Sequence, residues 1–276
     1  MKFIKILWFD IKNGYLKVGI NYIFPVLLSI ISFFEVYRKN MIWETTLSFG
    51  DCWMYLYGGM KEYIPTAGNA FQFPTMWTAV FLLCAFSVSN YPMKNLQTVG
   101  MQILVRAQGR KKWWVSKCLW NLFSTIMFHG IILLTQIGLS VCFQIPLVFE
   151  THGKSVATMF GLLLSDFQGA GKIPVTVFLA PLLFSLAINL TEMVITLWTK
   201  PVFGFLFICV LLISSAYLFS DKMIGNYAMP IRYNWAIRNG IYYQKGMILS
   251  AVILVGAFIC GAAKFHRYNI LNREDV

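Results

Sequence analysis

Charge is scarce in this chain: 12% of its 276 residues are Asp, Glu, Lys or Arg, where a water-soluble domain carries about 25%. With 58% hydrophobic residues and a mean hydropathy of +0.65, the shortage excludes water as the solvent of most of its surface. Acidic residues are the scarcest, 11 against 23 basic, for a net charge of +12. The excess does not form a basic stripe on a soluble fold; it flanks apolar runs, so nucleic acid is excluded as a partner and anionic membrane lipid is the expected one.

Cysteine is sparse and scattered. Its six positions show no CxxC or Cys/His spacing, and all but Cys52 fall in apolar runs, which excludes a disulfide framework or metal site and marks them as small buried hydrophobes. A GxxxxGK[ST] phosphate loop is missing too, and no polar segment is large enough to house an ATPase domain. His152 and Glu150 lie close together without an HExxH, GxSxG or paired-carboxylate setting, so no catalytic residues are assigned and the chain is not expected to be an enzyme by itself.

What is present is a series of apolar runs long enough to cross a bilayer. They lie near 18–35, 75–93, 117–143, 176–199, 201–219 and 247–264. The pattern predicts an all-α membrane protein with about six transmembrane helices in one transmembrane domain. Only Thr199-Lys200-Pro201 separates the fourth and fifth runs, which therefore form a tight antiparallel hairpin with Pro201 opening a helix. Pro25 and Pro181 sit inside runs, where neighbouring helices satisfy the freed carbonyls. Ahead of the first run, residues 1–17 space Phe3, Ile4, Leu7, Trp8, Ile11 and Tyr15 helically against Lys2, Lys5, Lys12 and Lys17, predicting an amphipathic interfacial helix rather than a cleaved signal peptide.

Fourteen Lys and Arg residues fall on the side of the two termini and nine on the other. The richer side is expected to be cytoplasmic, which places both termini there. Of the outer segments, SFGDCWMYLYGGMKEYIP reads as an interfacial or re-entrant helix capping the external mouth, and SVATMFGLLLSD at 155–166 has the same character.

The cytoplasmic connection MKNLQTVGMQILVRAQGRKKWWVSK, residues 93–117, carries an amphipathic stretch from Leu96 to Val105, then Arg106, a break at Gly109, the cluster Arg110-Lys111-Lys112 and the pair Trp113-Trp114. Two readings stand side by side: a short helix that docks into a groove on a soluble partner, or a positive-inside anchor with an aromatic belt.

This order of parts resembles the permease subunit of a type-2 ABC exporter. VGMQILVRAQGRKKWWVSKCLWN and FGDCWMYLYGG in particular are similar to the small permeases found beside ATPase subunits in Gram-positive bacteria. The resemblance implies a multi-pass protein of the bacterial plasma membrane whose loop at 94–112 is a coupling element. Leu96, Gln97, Met101, Leu104, Arg106, Gln108 and Arg110 would then contact a separate ABC ATPase subunit that binds ATP and Mg. It also implies a second permease subunit, identical or not, and an amphipathic peptide or lipid-like cargo. A non-transporting membrane scaffold or sensor, with the basic loop on another cytoplasmic partner, is the alternative.

Five polar residues inside the runs are candidates for a pathway or an assembly contact. Glu192 is the one clear intramembrane carboxylate, and is either a polar gate or a structural partner of Lys200 or of another span's hydroxyl groups. Asn189 precedes it by one turn. Asn121, His129 and Gln136 share one face of the third run, His129 being a proton relay or a hydrogen-bonded packing residue. His266 reads as an interfacial anchor.

Overall fold

The computed structural model describes residues 2–66, 70–96 and 109–267. Nine α-helices occur among them. In order these are α1 (Lys2–Val18), α2 (Ile23–Trp43), α3 (Phe49–Tyr57), α4 (Thr75–Leu96), α5 (Arg110–Cys142), α6 (Gly153–Phe160), α7 (Val175–Trp198), α8 (Pro201–Tyr217) and α9 (Tyr243–Arg267). Gly19–Trp43, α5, α7 and α9 are long and apolar enough to cross a membrane; Thr75–Val88 of α4 and all of α8 are shorter apolar helices. Large side chains such as Phe203, Val210, Ile248 and Val252 lie more than half exposed along α8 and α9. Apolar surface on that scale belongs in lipid, and the chain is a helical membrane protein.

Each expected apolar run is helical, with two boundary corrections. The first helix does not stop near residue 35: it carries Glu35, Arg38 and Lys39 for two further turns and ends where Glu44 turns left-handed at φ 46°. Tyr55 donates a 2.5 Å hydrogen bond to Glu35 and Lys39 one of 3.4 Å to Tyr55, so these charges stay folded against α3 instead of terminating the helix. The third begins at Arg110, placing the basic cluster and both tryptophans inside a 33-residue helix. Pro25 occupies the first turn of α2, where an N–H is not needed, while Pro181 lies within α7 and Pro92 within α4.

The segments expected to lie outside build a cap over one end of the bundle. α3 opens with a capping box, Ser48 Oγ accepting from the Asp51 amide and Asp51 accepting from the Ser48 amide. Eight of its nine residues are buried, so it is a core helix of the cap rather than a surface one. The fully buried Asp51 also accepts at 2.8 Å from the His152 amide and meets His152 Nδ1 at 2.7 Å, tying α3 to the start of α6. A two-residue antiparallel pair, β1 (Glu150–Thr151) with β2 (Gly171–Lys172), closes the α6 loop. The 3-10 turns Ile224–Ala228 and Pro230–Arg232 complete the cap, and Trp77 at the start of α4 donates to the Ala228 carbonyl at 2.8 Å.

Arg232, counted above among the outer basic residues, is wholly buried. Its guanidinium donates to the carbonyls of Ser215 and Ala216 in the last turn of α8, to those of Met60 and Lys61, and to Asn226 Oδ1. Desolvation pulls its pKa down to about 10, which leaves it charged at neutral pH and complementary to the helix C-terminus it caps.

Candidate functional site

At the end opposite the cap, the undescribed stretch 97–108 is flanked by the last turn of α4 and the first turns of α5. These two stems are joined through α1. Lys117 of α5 and Asp10 of α1 form an ion pair with both side chains 1% exposed. Asp10 also accepts from Ser116 Oγ at 2.6 Å and from the Tyr91 hydroxyl of α4 at 3.2 Å, while Lys117 donates to Asn95 Oδ1 at 2.7 Å. The Lys117 ammonium lies 4.9 Å from the centre of the Tyr91 ring and 5.1 Å from that of Trp113. A buried ion pair is tolerated only with good geometry and further hydrogen bonds to both partners, and here Asp10 also accepts from two hydroxyls while Lys117 also donates to an amide.

Helix α1 reaches this network by an unexpected face. Ile6, Asp10, Gly14 and Val18, spaced by four, turn inward, whereas Ile4, Trp8 and Tyr15 stay exposed for lipid. Gly14 lies so close to the Trp120 indole that a Cβ would overlap it, and this approach lets Asp10 sink to the stems.

Trp113 and Trp114 are each 1% exposed, so they are packing wedges rather than an interfacial belt. Trp113 stacks on Phe265 with ring centres 4.5 Å apart, and Trp114 Nε1 donates at 3.1 Å to the Phe258 carbonyl of α9. Arg110 donates at 2.5 Å to the His266 carbonyl, making it a cap on the last turn of α9. Leu96 is also buried, in the same apolar cluster. Gln97, Met101, Leu104, Arg106 and Gln108 lie outside the described residues.

The five intramembrane polar residues fall on one buried seam but not in one group. Asn121 donates to the Asn189 carbonyl at 3.2 Å, and Asn189 Nδ2 to Thr125 Oγ1 at 2.9 Å and Cys84 Sγ at 3.3 Å, so α4, α5 and α7 meet there. Glu192 is 0% exposed on the next turn of α7, and among the described residues neither carboxylate oxygen has a hydrogen-bond partner. The described ion pairs do not include one with Lys200, which is exposed at the α7–α8 turn.

His129 is hydrogen-bonded at both ring nitrogens, to the Tyr57 hydroxyl at 2.7 Å and Ser185 Oγ at 2.8 Å, which satisfies the buried ring. Gln136 donates at 3.2 Å to the Ser29 carbonyl of α2. Both border an apolar cavity of about 250 Å³ between α3, α5 and α7, walled by Trp53, Ile126, Leu133, Phe178 and Leu182. Within the cap a separate crevice of about 390 Å³ is lined by Lys39, Lys61, Phe73, Trp77 and Phe160.

Asp10, Asn95, Ser116, Lys117 and Arg232 were not singled out by spacing. The available signal was isolation: Asp10 is the first acidic residue and none follows until Glu35, in a stretch with four lysines.

Compared with profiles of known families, with curated proteins and with solved structures, the chain matches none.

Proposed function

We propose that this chain is the membrane-spanning subunit of an ATP-driven exporter of the type-2 ABC kind. In this reading α2, α4, α5, α7, α8 and α9 are six spans, the termini and residues 97–108 face the cytoplasm of a bacterial cell, and the cap faces outward. At 1.5 Å per residue α4 is about 33 Å long, α8 about 25 Å and α5 about 50 Å. The first matches a hydrocarbon core of about 30 Å, the second spans it with slight thinning, and the third projects beyond it.

The observation that carries the reading is the Asp10–Lys117–Asn95 lock between the stems of 97–108. A soluble motor that pulls on a loop moves the membrane helices only if the stems are stiff and joined. Here displacement of 97–108 passes to α4 and α5 together, to α1 through Asp10, and to α9 through Arg110, Trp113 and Trp114. The partner ATPase subunit supplies ATP, Mg and hydrolysis, and a second permease subunit completes the pathway. The apolar cavity beneath α3 and the aromatic crevice in the cap suit an amphipathic peptide or lipid-like cargo.

Affinity purification of the full chain from a host that also expresses a nucleotide-binding subunit tests the reading. The wild type retains that subunit, and Arg106→Glu loses it while keeping the fold. A wild type that never retains one, or an Arg106→Glu variant that retains it equally, removes the assignment in favour of a scaffold or sensor.

A further inference from the structure

Glu192 belongs to neither the stem lock nor the described cavities, and its burial is not offset by a hydrogen bond at either carboxylate oxygen. Its carboxyl group is wholly buried on α7, and both oxygens lack a partner among the described residues. Two neighbours on the same face share the deficit: Asn189 Oδ1, three residues before, and Thr196 Oγ1, four residues after, are buried and unpartnered. Asn121 Oδ1, across on α5, is a further orphan acceptor.

Among the described residues no ion pair reaches Glu192. The titratable groups that bear on it are the thiols of Cys84 from α4 and Cys209 from α8, neither of which can supply a positive charge. From α5 come Asn121 and Thr125, bonded to Asn189. Gly204 of α8 closes the other side, where even a Cβ would lie 2.6 Å from Thr196 Oγ1 and 3.3 Å from Glu192 Cγ. That packing leaves no room for a metal ion with the six or more oxygens a hard cation takes. A carboxylate in such a place cannot stay ionised without a partner, because desolvation is not offset.

We infer that Glu192 is a proton-binding site and carries a proton at neutral pH while α7 and α8 are packed together. The proton converts an acceptor-only carboxylate into an O–H donor on a face whose neighbouring turn carries Asn189 Oδ1, an acceptor without a partner among the described residues. Separation of α8 from α7 admits water and releases the proton, so the hairpin and the protonation state are one equilibrium. The inference holds whether or not the chain works with an ATPase.

Infrared spectra of the purified full chain in lipid nanodiscs test it. At pH 7 the wild type shows a buried-acid carbonyl band that Glu192→Gln lacks and that Glu192→Asp shifts. Reversible unfolding in mixed micelles gives an independent reading: the folded chain holds a proton that the unfolded chain gives up, so stability falls as pH rises. Each unit between pH 5 and 7 lowers the wild-type folding constant by up to about tenfold relative to Glu192→Gln. A wild type without the band at pH 7, the same pH dependence in both proteins, or stabilisation by sodium that Glu192→Gln abolishes overturns the inference, the last in favour of an alkali-metal site.

Discussion

Removal of Asp10 is the perturbation whose size follows most directly from the contacts. In Asp10→Ala the Lys117 ammonium, 1% exposed, keeps Asn95 Oδ1 as a partner and loses its counter-charge, and the Ser116 and Tyr91 hydroxyls lose their acceptor. Breaking one side of a buried ion pair costs about 3–5 kcal/mol. With roughly 2–4 °C per kcal/mol for chains of 150–250 residues, the melting temperature drops by roughly 6–20 °C. Asp10→Leu combined with Lys117→Met removes both charges and recovers the part of the loss that comes from the uncompensated ammonium, while the Ser116 and Tyr91 hydroxyls and Asn95 Oδ1 still lack the partners they had. Dye-monitored melting in detergent reads both variants. If the chain works with an ATPase as proposed, the double variant stimulates that subunit poorly, because the hydrogen-bonded link from α1 to both stems is gone. A single variant that melts within 2 °C of wild type would refute the energetic argument, and a double variant with normal coupling would refute the mechanical one.

Other perturbations separate the parts of the fold. Arg232→Met leaves four carbonyls and Asn226 Oδ1 without their buried donor, and the cost of several kcal/mol shows as aggregation in fluorescence-detected size exclusion. Gly204→Leu wedges α7 from α8 and destabilises the bundle by about 1–3 kcal/mol, visible as faster proteolysis at the 199–201 turn. Ser48→Ala removes half of the α3 capping box and lowers stability by about 1 kcal/mol in thermal melts. His129→Phe leaves the Tyr57 and Ser185 hydroxyls without the imidazole and lowers stability by about 1–3 kcal/mol in thermal melts.

The helices were legible because their cause is local. Runs of apolar residues with few charges dictate membrane helices whatever surrounds them, and the Thr199-Lys200-Pro201 hairpin follows from chain length alone. Boundaries failed where a distant contact decided them: Glu35 and Lys39 look like the end of a span until Tyr55, 20 residues from the first, is seen to hold them. Trp113 and Trp114 look like an interfacial belt because tryptophan favours that position, and only the approach of α9 makes them core. The same holds for the site. The seam of Asn121, His129 and Gln136 was legible from helical spacing, whereas its division into a satisfied histidine and an orphaned Glu192 depends on which side chains α3, α4 and α8 bring. Asp10 and Lys117 are 107 residues apart, a pairing that no local pattern encodes.

A photo-crosslinking amino acid placed in turn at positions 97, 101, 104 and 108, with Trp8 and Trp198 as exposed controls, measures most directly whether a motor docks at the loop. The account predicts adducts with a nucleotide-binding polypeptide from the loop positions and none from the controls. Adducts that form equally at the controls, or loop positions that label lipid alone, would contradict it.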